Sequence, residues 1–126
     1  ISHHYGLEKF YEYGLTMLTV VNRDYCKKLL VCLPGQKHPE QFHKQKEETF
    51  HVLYGSVEIE LNGKIQICLP GDVVTIEPET RHAFVSHDGA VIEEISSTHF
   101  INDSFYTDDS ISLNKNRKTI LTHWMG

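Results

Sequence analysis

At 126 residues the chain has the size of one domain. Its 40% hydrophobic and 23% charged residues are an ordinary globular mix, and a net charge of −5 argues against nucleic acid, whose phosphates call for a basic face. No apolar run approaches the roughly 20 residues needed to span a membrane, and no signal peptide is visible.

In chain order, Leu7 to Tyr11 is the one expected short helix before the strands begin. Gly14 opens an apolar run, Leu15 to Val21, which predicts a strand; Asn22-Arg23-Asp24 is a turn. Tyr25 to Leu33 is the next strand and stops at Pro34-Gly35. Thr49 to Tyr54 and Ser56 to Leu61 follow. In the second of these Val57, Ile59 and Leu61 alternate with Ser56, Glu58 and Glu60, so one face is buried and the other wet. Asn62-Gly63 is the strongest hairpin signal, and Lys64 to Leu69 is its return strand. Pro70-Gly71-Asp72 turns into Val73 to Glu77; Arg81 to Ser86 and Ala90 to Ser96 complete the set, separated by His87-Asp88-Gly89. From Thr98 the tail is polar until Ile120 to Trp124 and is expected to lie over a barrel edge or a neighbouring subunit. Roughly eight short strands with little helix predict an all-β sandwich or barrel. The core is expected over about 14–100 and the tail over 101–126, in a single domain that starts at Ile1 and allows for a longer polypeptide.

Cys26, Cys32 and Cys68 are odd in number, form no Cys-x-x-Cys pair and sit in apolar strands. Buried free thiols in a reducing cytoplasm are the expectation. Leu29 to Leu33 is apolar on both faces, which implies cover on both sides and predicts a homodimer.

The residues with ligand chemistry cluster between Gly35 and Gly55. Gln41 and His43 are two apart and share a strand face; Glu48 is far enough along for the strand to turn and return, and His82 comes from a later strand. Two histidines and a carboxylate can hold a divalent cation with sites left open, and the Gln41 amide oxygen is a weaker, neutral fourth ligand. His38 lies three residues from Gln41, on the other face unless a bulge intervenes. His51 and His87 read as surface or interface residues; His3, His4, His99 and His123 lie in terminal segments without partner spacing. Lys46 sits between His43 and Glu48, where a neighbouring cation and burial would push it towards its neutral form. Glu93 and Glu94 point opposite ways on an apolar strand, so one of them faces in.

These spacings resemble the two cupin motifs. Gly35, five residues, Gln41-x-His43, four residues, Glu48, six residues and Gly55 match the first, with Gln41 where the family usually has histidine. Gly71 and His82 keep the spacing of the second, with Glu77 and Glu79 at its proline and glycine positions. The resemblance implies a jelly-roll barrel with His43, Glu48, His82 and Gln41 around a divalent metal (Mn, Zn, Ni or Fe).

Among cupins, aldose–ketose isomerases of the D-lyxose isomerase type carry His-x-His-x-x-Lys-x-Glu, and Gln41, His43, Lys46 and Glu48 reproduce that spacing. Glu94-Ile95-Ser96 followed by Asn102-Asp103 is similar to the segment that carries a later catalytic Glu in those enzymes. This likeness covers mainly Pro34 to Asp103 and implies proton transfer by Lys46 and Glu94 on a sugar or sugar acid, with Glu94 on the wall opposite Lys46. The chain also resembles cupin domains that accompany N-acetylneuraminate (sialic acid) synthases. Three readings follow: a sugar isomerase or epimerase, a non-catalytic sugar-binding or oligomerising domain, and a metal-dependent dioxygenase.

Overall fold

The computed structural model describes residues 1–121. Ten strands form two antiparallel five-stranded sheets: β1 (Thr16–Asn22), β2 (Tyr25–Cys32), β3 (Lys37–Phe42), β4 (Glu48–Gly55), β5 (Val57–Leu61), β6 (Lys64–Cys68), β7 (Val73–Ile76), β8 (His82–Val85), β9 (Ala90–Ser97) and β10 (Phe105–Tyr106). One sheet runs β1-β2-β9-β4-β7 and the other β10-β3-β8-β5-β6, the crossed order of a jelly-roll barrel. Helix is confined to a 3-10 turn at Leu7–Lys9, where the sequence predicts a slightly longer helix, and to α1 (Asp109–Leu113). No helix among the described residues is long and apolar enough to cross a membrane.

Side-chain alternation builds the interior. On β2 Cys26, Lys28, Leu30 and Cys32 point in; on β4 Glu48, Phe50 and Val52; on β9 Ala90, Ile92, Glu94 and Ser96. One end of the barrel is therefore apolar, filled by Cys32, Val52, Val57, Ile59, Cys68, Val74 and Ile92. The other end, across Lys28, Glu48, His82, Glu94 and Ser96, is polar yet buried. The three cysteines are free thiols, all buried, as their apolar surroundings predict. Leu29 and Val31 on the outer face of β2 are half-buried.

Local chemistry sets the turns. Asn62 and Gly63 both take positive φ, 48° and 84°, which gives the β5–β6 hairpin the twist its strands need. Gly55 has φ 75°, and a Cβ there would run into the carbonyl of Gly89, so no other residue fits.

Strand β3 is more regular in sequence than in space. His38 pairs with Phe84 and Gln41 with His82, three steps against two, so one extra residue bulges between them. The bulge returns His38 to the inner face beside Gln41. The terminal segments close the polar end: Ser2 bridges to Leu15 and to Lys118, and the Ile1 ammonium donates to the Thr119 carbonyl at 2.7 Å. Of the tail that the sequence reading places over an edge, His123 and Trp124 lie outside the described residues.

Candidate metal centre

His43, Glu48 and His82 come together at the polar end, their ligand atoms all within 4.8 Å of one another. Glu48 opens β4, His82 opens β8, and His43 follows the last residue of β3. His82 Nε2 lies 2.9 Å and His43 Nε2 3.6 Å from Glu48 Oε1. None of these three atoms makes a well-directed hydrogen bond, although all are buried. Three orphaned buried ligand atoms converging on one point are what a divalent cation fits.

The far side of each ring supports the same orientation. His43 Nδ1 donates to the Asp103 carbonyl at 2.7 Å and His82 Nδ1 to the Thr80 carbonyl at 2.9 Å. A carbonyl only accepts, so Nδ1 carries the hydrogen and Nε2 turns its lone pair inward. Burial works to raise the Glu48 pKa, but the two imidazoles and Lys46 outweigh it and hold the carboxyl well below its usual range.

Lys46 Nζ lies 3.0 Å from Glu48 Oε2 and 3.5 Å from Glu94 Oε2. Burial would lower its pKa, yet the two carboxylates prevail and raise it. The ammonium is thereby held charged by Glu48 and Glu94, where burial beside a cation would push it towards the neutral form. Glu94 is pushed up to about 7, first by burial and then by the charge of Glu48. Glu94 is the inward member of its pair, while Glu93 faces out to Lys27 at 3.0 Å and His51 at 3.3 Å. The structure corrects one expectation: Glu94 stands beside Lys46 on the same side of the cluster, because β4 and β9 are adjacent strands. Gln41 lines the same cavity as His43, Lys46 and Glu94.

Residues 29–93 match the cupin domain family. The chain belongs to the cupin family. Two relatives are similar over 85% of this cupin: a D-lyxose/D-mannose isomerase of Thermosediminibacter oceani, 34% identical with 75% of its length covered, and a D-lyxose ketol-isomerase of Thermofilum sp., 30% identical with 76% covered. In fold, it is similar to the L-ribose isomerase of Cellulomonas parahominis, solved with L-ribose: TM-score 0.75 at 14% identity, covering 82% of this chain and 74% of that one.

Several parts of the cupin site escape the motif spacing. The Asp103 carboxylate accepts the backbone N–H groups of Lys44 (2.9 Å), Gln45 (3.2 Å) and Lys46 (3.0 Å), so it clasps the loop that carries Lys46. Glu79 occupies the glycine position of the second motif with φ 66°, in the left-handed region, and its N–H donates to the His43 carbonyl at 2.6 Å. That bond ties the β7–β8 turn to the first motif. His38 lines the same cavity but is not one of the converging ligands: its ring stacks on Phe84 with centroids 4.9 Å apart, and Nδ1 donates to the Pro39 carbonyl. His4 and His99, read from sequence as terminal residues, are respectively buried under the barrel mouth and part of the cavity wall. Their signal in sequence is absent, because only chain closure brings the termini there. The cavity holds about 40 Å3, room for a few waters. A larger groove of about 250 Å3 runs over the outer face of the β3–β8–β5–β6 sheet, away from the ligand cluster.

Proposed function

We propose that this cupin is a metal-dependent sugar isomerase or epimerase, with His43, Glu48 and His82 as ligands, Gln41 completing the set, and Lys46 and Glu94 moving protons. The observation that carries the reading is the buried pair Lys46–Glu94, 3.5 Å apart, with Lys46 Nζ also 3.0 Å from the Glu48 carboxylate. A ligand cluster by itself serves many reactions; a cluster with a buried ammonium and a buried carboxylic acid beside it suits proton exchange next to a carbonyl. The names of the two sugar-isomerase relatives support the same reading.

A divalent cation held here would polarise the sugar oxygens and stabilise the negative charge that develops on them. The residues do the rest. Glu94 and Lys46 stand in hydrogen-bond reach of each other, so Glu94 as carboxylate can take the proton from the carbon next to the carbonyl and return it to the neighbouring carbon, while the Lys46 ammonium gives a proton to the carbonyl oxygen and recovers one from the adjacent hydroxyl. Asp103 holds the 44–46 loop so that Lys46 keeps its place.

Two observations favour a second reading, a non-catalytic sugar-binding domain: the small closed cavity and the amide at Gln41 in place of an imidazole. One experiment separates them. The metal-loaded protein is incubated with aldoses, ketoses and N-acylated sugars in deuterated water. Deuterium uptake at the carbon next to the carbonyl, lost in Lys46→Ala and Glu94→Gln while metal is retained, is the expected result. No uptake with any sugar refutes the isomerase and leaves the binding domain.

A further inference from the structure

The polar end of the barrel holds more positive charge than the metal centre uses. Lys28 points inward from β2, is 7% exposed, and lines the cavity with Gln41, His43, Lys46 and Glu94. Among the described residues, its ammonium makes no hydrogen bond or ion pair. The side chain is buried but its ammonium is not sealed off, so it opens on the cavity, where an entering anion can supply a partner. Lys118 reaches into the same cavity from the terminal segment, and His99 lies between them. Burial lowers the pKa of Lys28, against the opposing pull of Glu94, and Lys46 lowers it further.

The charge count points one way. Among the described residues that line the cavity, the three lysines Lys28, Lys46 and Lys118 face one carboxylate, Glu94, with Glu48 beside Lys46. Such a wall is unbalanced until an anion enters it. The placement is also suitable. Lys28 is opposite Glu94 on β9, and Glu94 is opposite Phe50 on β4, so two strand spacings, roughly 10 Å, separate β2 from the strand that carries Glu48. A six-carbon sugar with its reacting end at the ligand cluster turns its other end towards Lys28.

We propose that Lys28 and Lys118 form an anion-binding end of this pocket, so that the sugar it takes carries a carboxylate or a phosphate remote from His43, Glu48 and His82. This rests on the reading of the cluster as a metal-dependent sugar site and names its substrate class.

The test is calorimetric titration of the metal-loaded protein, at fixed ionic strength, with D-mannose, D-mannuronate and D-mannose 6-phosphate. Inorganic phosphate serves as the sugar-free probe. At least one anionic sugar binds about tenfold or more tightly than D-mannose, and which one does distinguishes carboxylate from phosphate. Lys28→Met brings the preference to within about threefold, and Lys28→Arg restores it, with metal content unchanged in both. Lys118→Gln, on the exposed terminal segment, loses part of the preference and provides the result if Lys28→Met does not fold. Equal affinity for the three sugars overturns the proposal, and so does a preference that survives Lys28→Met, or Lys118→Gln where that variant stands in, or a gain shown by inorganic phosphate alone. Deuterium exchange into D-mannose without any anionic preference overturns this inference but leaves the isomerase standing. A metal-loaded protein that binds none of the sugars overturns both.

Discussion

Replacing Asp103 by alanine probes how the barrel holds the loop that carries Lys46. The carboxylate is 3% exposed and accepts three successive N–H groups, while the residue's own carbonyl accepts His43 Nδ1. A hydrogen bond to a charged group contributes about 1.5 kcal/mol at the low end of its range. The Lys46 N–H is buried and loses that in full; those of Lys44 and Gln45 lie on exposed residues where water can replace about half. The total is about 3 kcal/mol, or about 12 °C in Tm at roughly 4 °C per kcal/mol for a chain of this size. Asp103→Asn keeps one acceptor oxygen and loses about half as much. Urea unfolding with an unchanged slope measures the stability, and chelator competition measures the metal, which weakens about tenfold or more because the 44–46 loop between His43 and Glu48 is no longer clasped, although the Asp103 carbonyl still accepts His43 Nδ1. A loss below about 0.5 kcal/mol, with metal affinity intact, would refute the reasoning, since it would mean that the loop holds itself.

Loss of a ligand in His82→Ala lowers metal affinity by about two orders of magnitude or more, read by elemental analysis after dialysis; unchanged content sinks the ligand assignment. Gln41→His tightens metal binding in chelator competition, because imidazole is the better ligand for a transition metal, and weaker binding means that Gln41 serves the substrate. Stability falls on acidification. His4 is lowered from 6.5 to about 4, first by burial and then by Lys118 and Arg117, so the unfolded chain takes up the proton first. Its contribution is complete above pH 6.5 and drains as the pH falls towards 4, about 3 kcal/mol in all; His4→Phe flattens the profile of unfolding midpoints, and an unchanged profile rejects this cause. A dimer is expected from the apolar outer surface, where Ile65 and Ile67 on β6 are 65% and 67% exposed; light scattering that gives a monomer at micromolar concentration counts against it.

What the sequence determined by itself is local. Alternation on β5, the Asn62-Gly63 turn and the Pro34-Gly35 break mark strands and hairpins, because strand period and left-handed turns are properties of a few neighbouring residues. The spacing of His43, Glu48 and His82 is legible for a related reason: each sits at a strand end, and strand ends meet at the rim of a closed barrel. Tertiary structure decided the rest. The β3 bulge that turns His38 inward is marked in Lys37 to Phe42 by Pro39 alone, which cannot donate to the ladder, and its register arises from pairing with β8. Lys46 is held charged by Glu48 and by Glu94, and the second arrives from a strand 48 residues away. Asp103, His99, Lys28 and Lys118 have no common spacing at all; they meet because the termini fold over one end of the barrel, and the low-dielectric interior then makes their charges matter to one another.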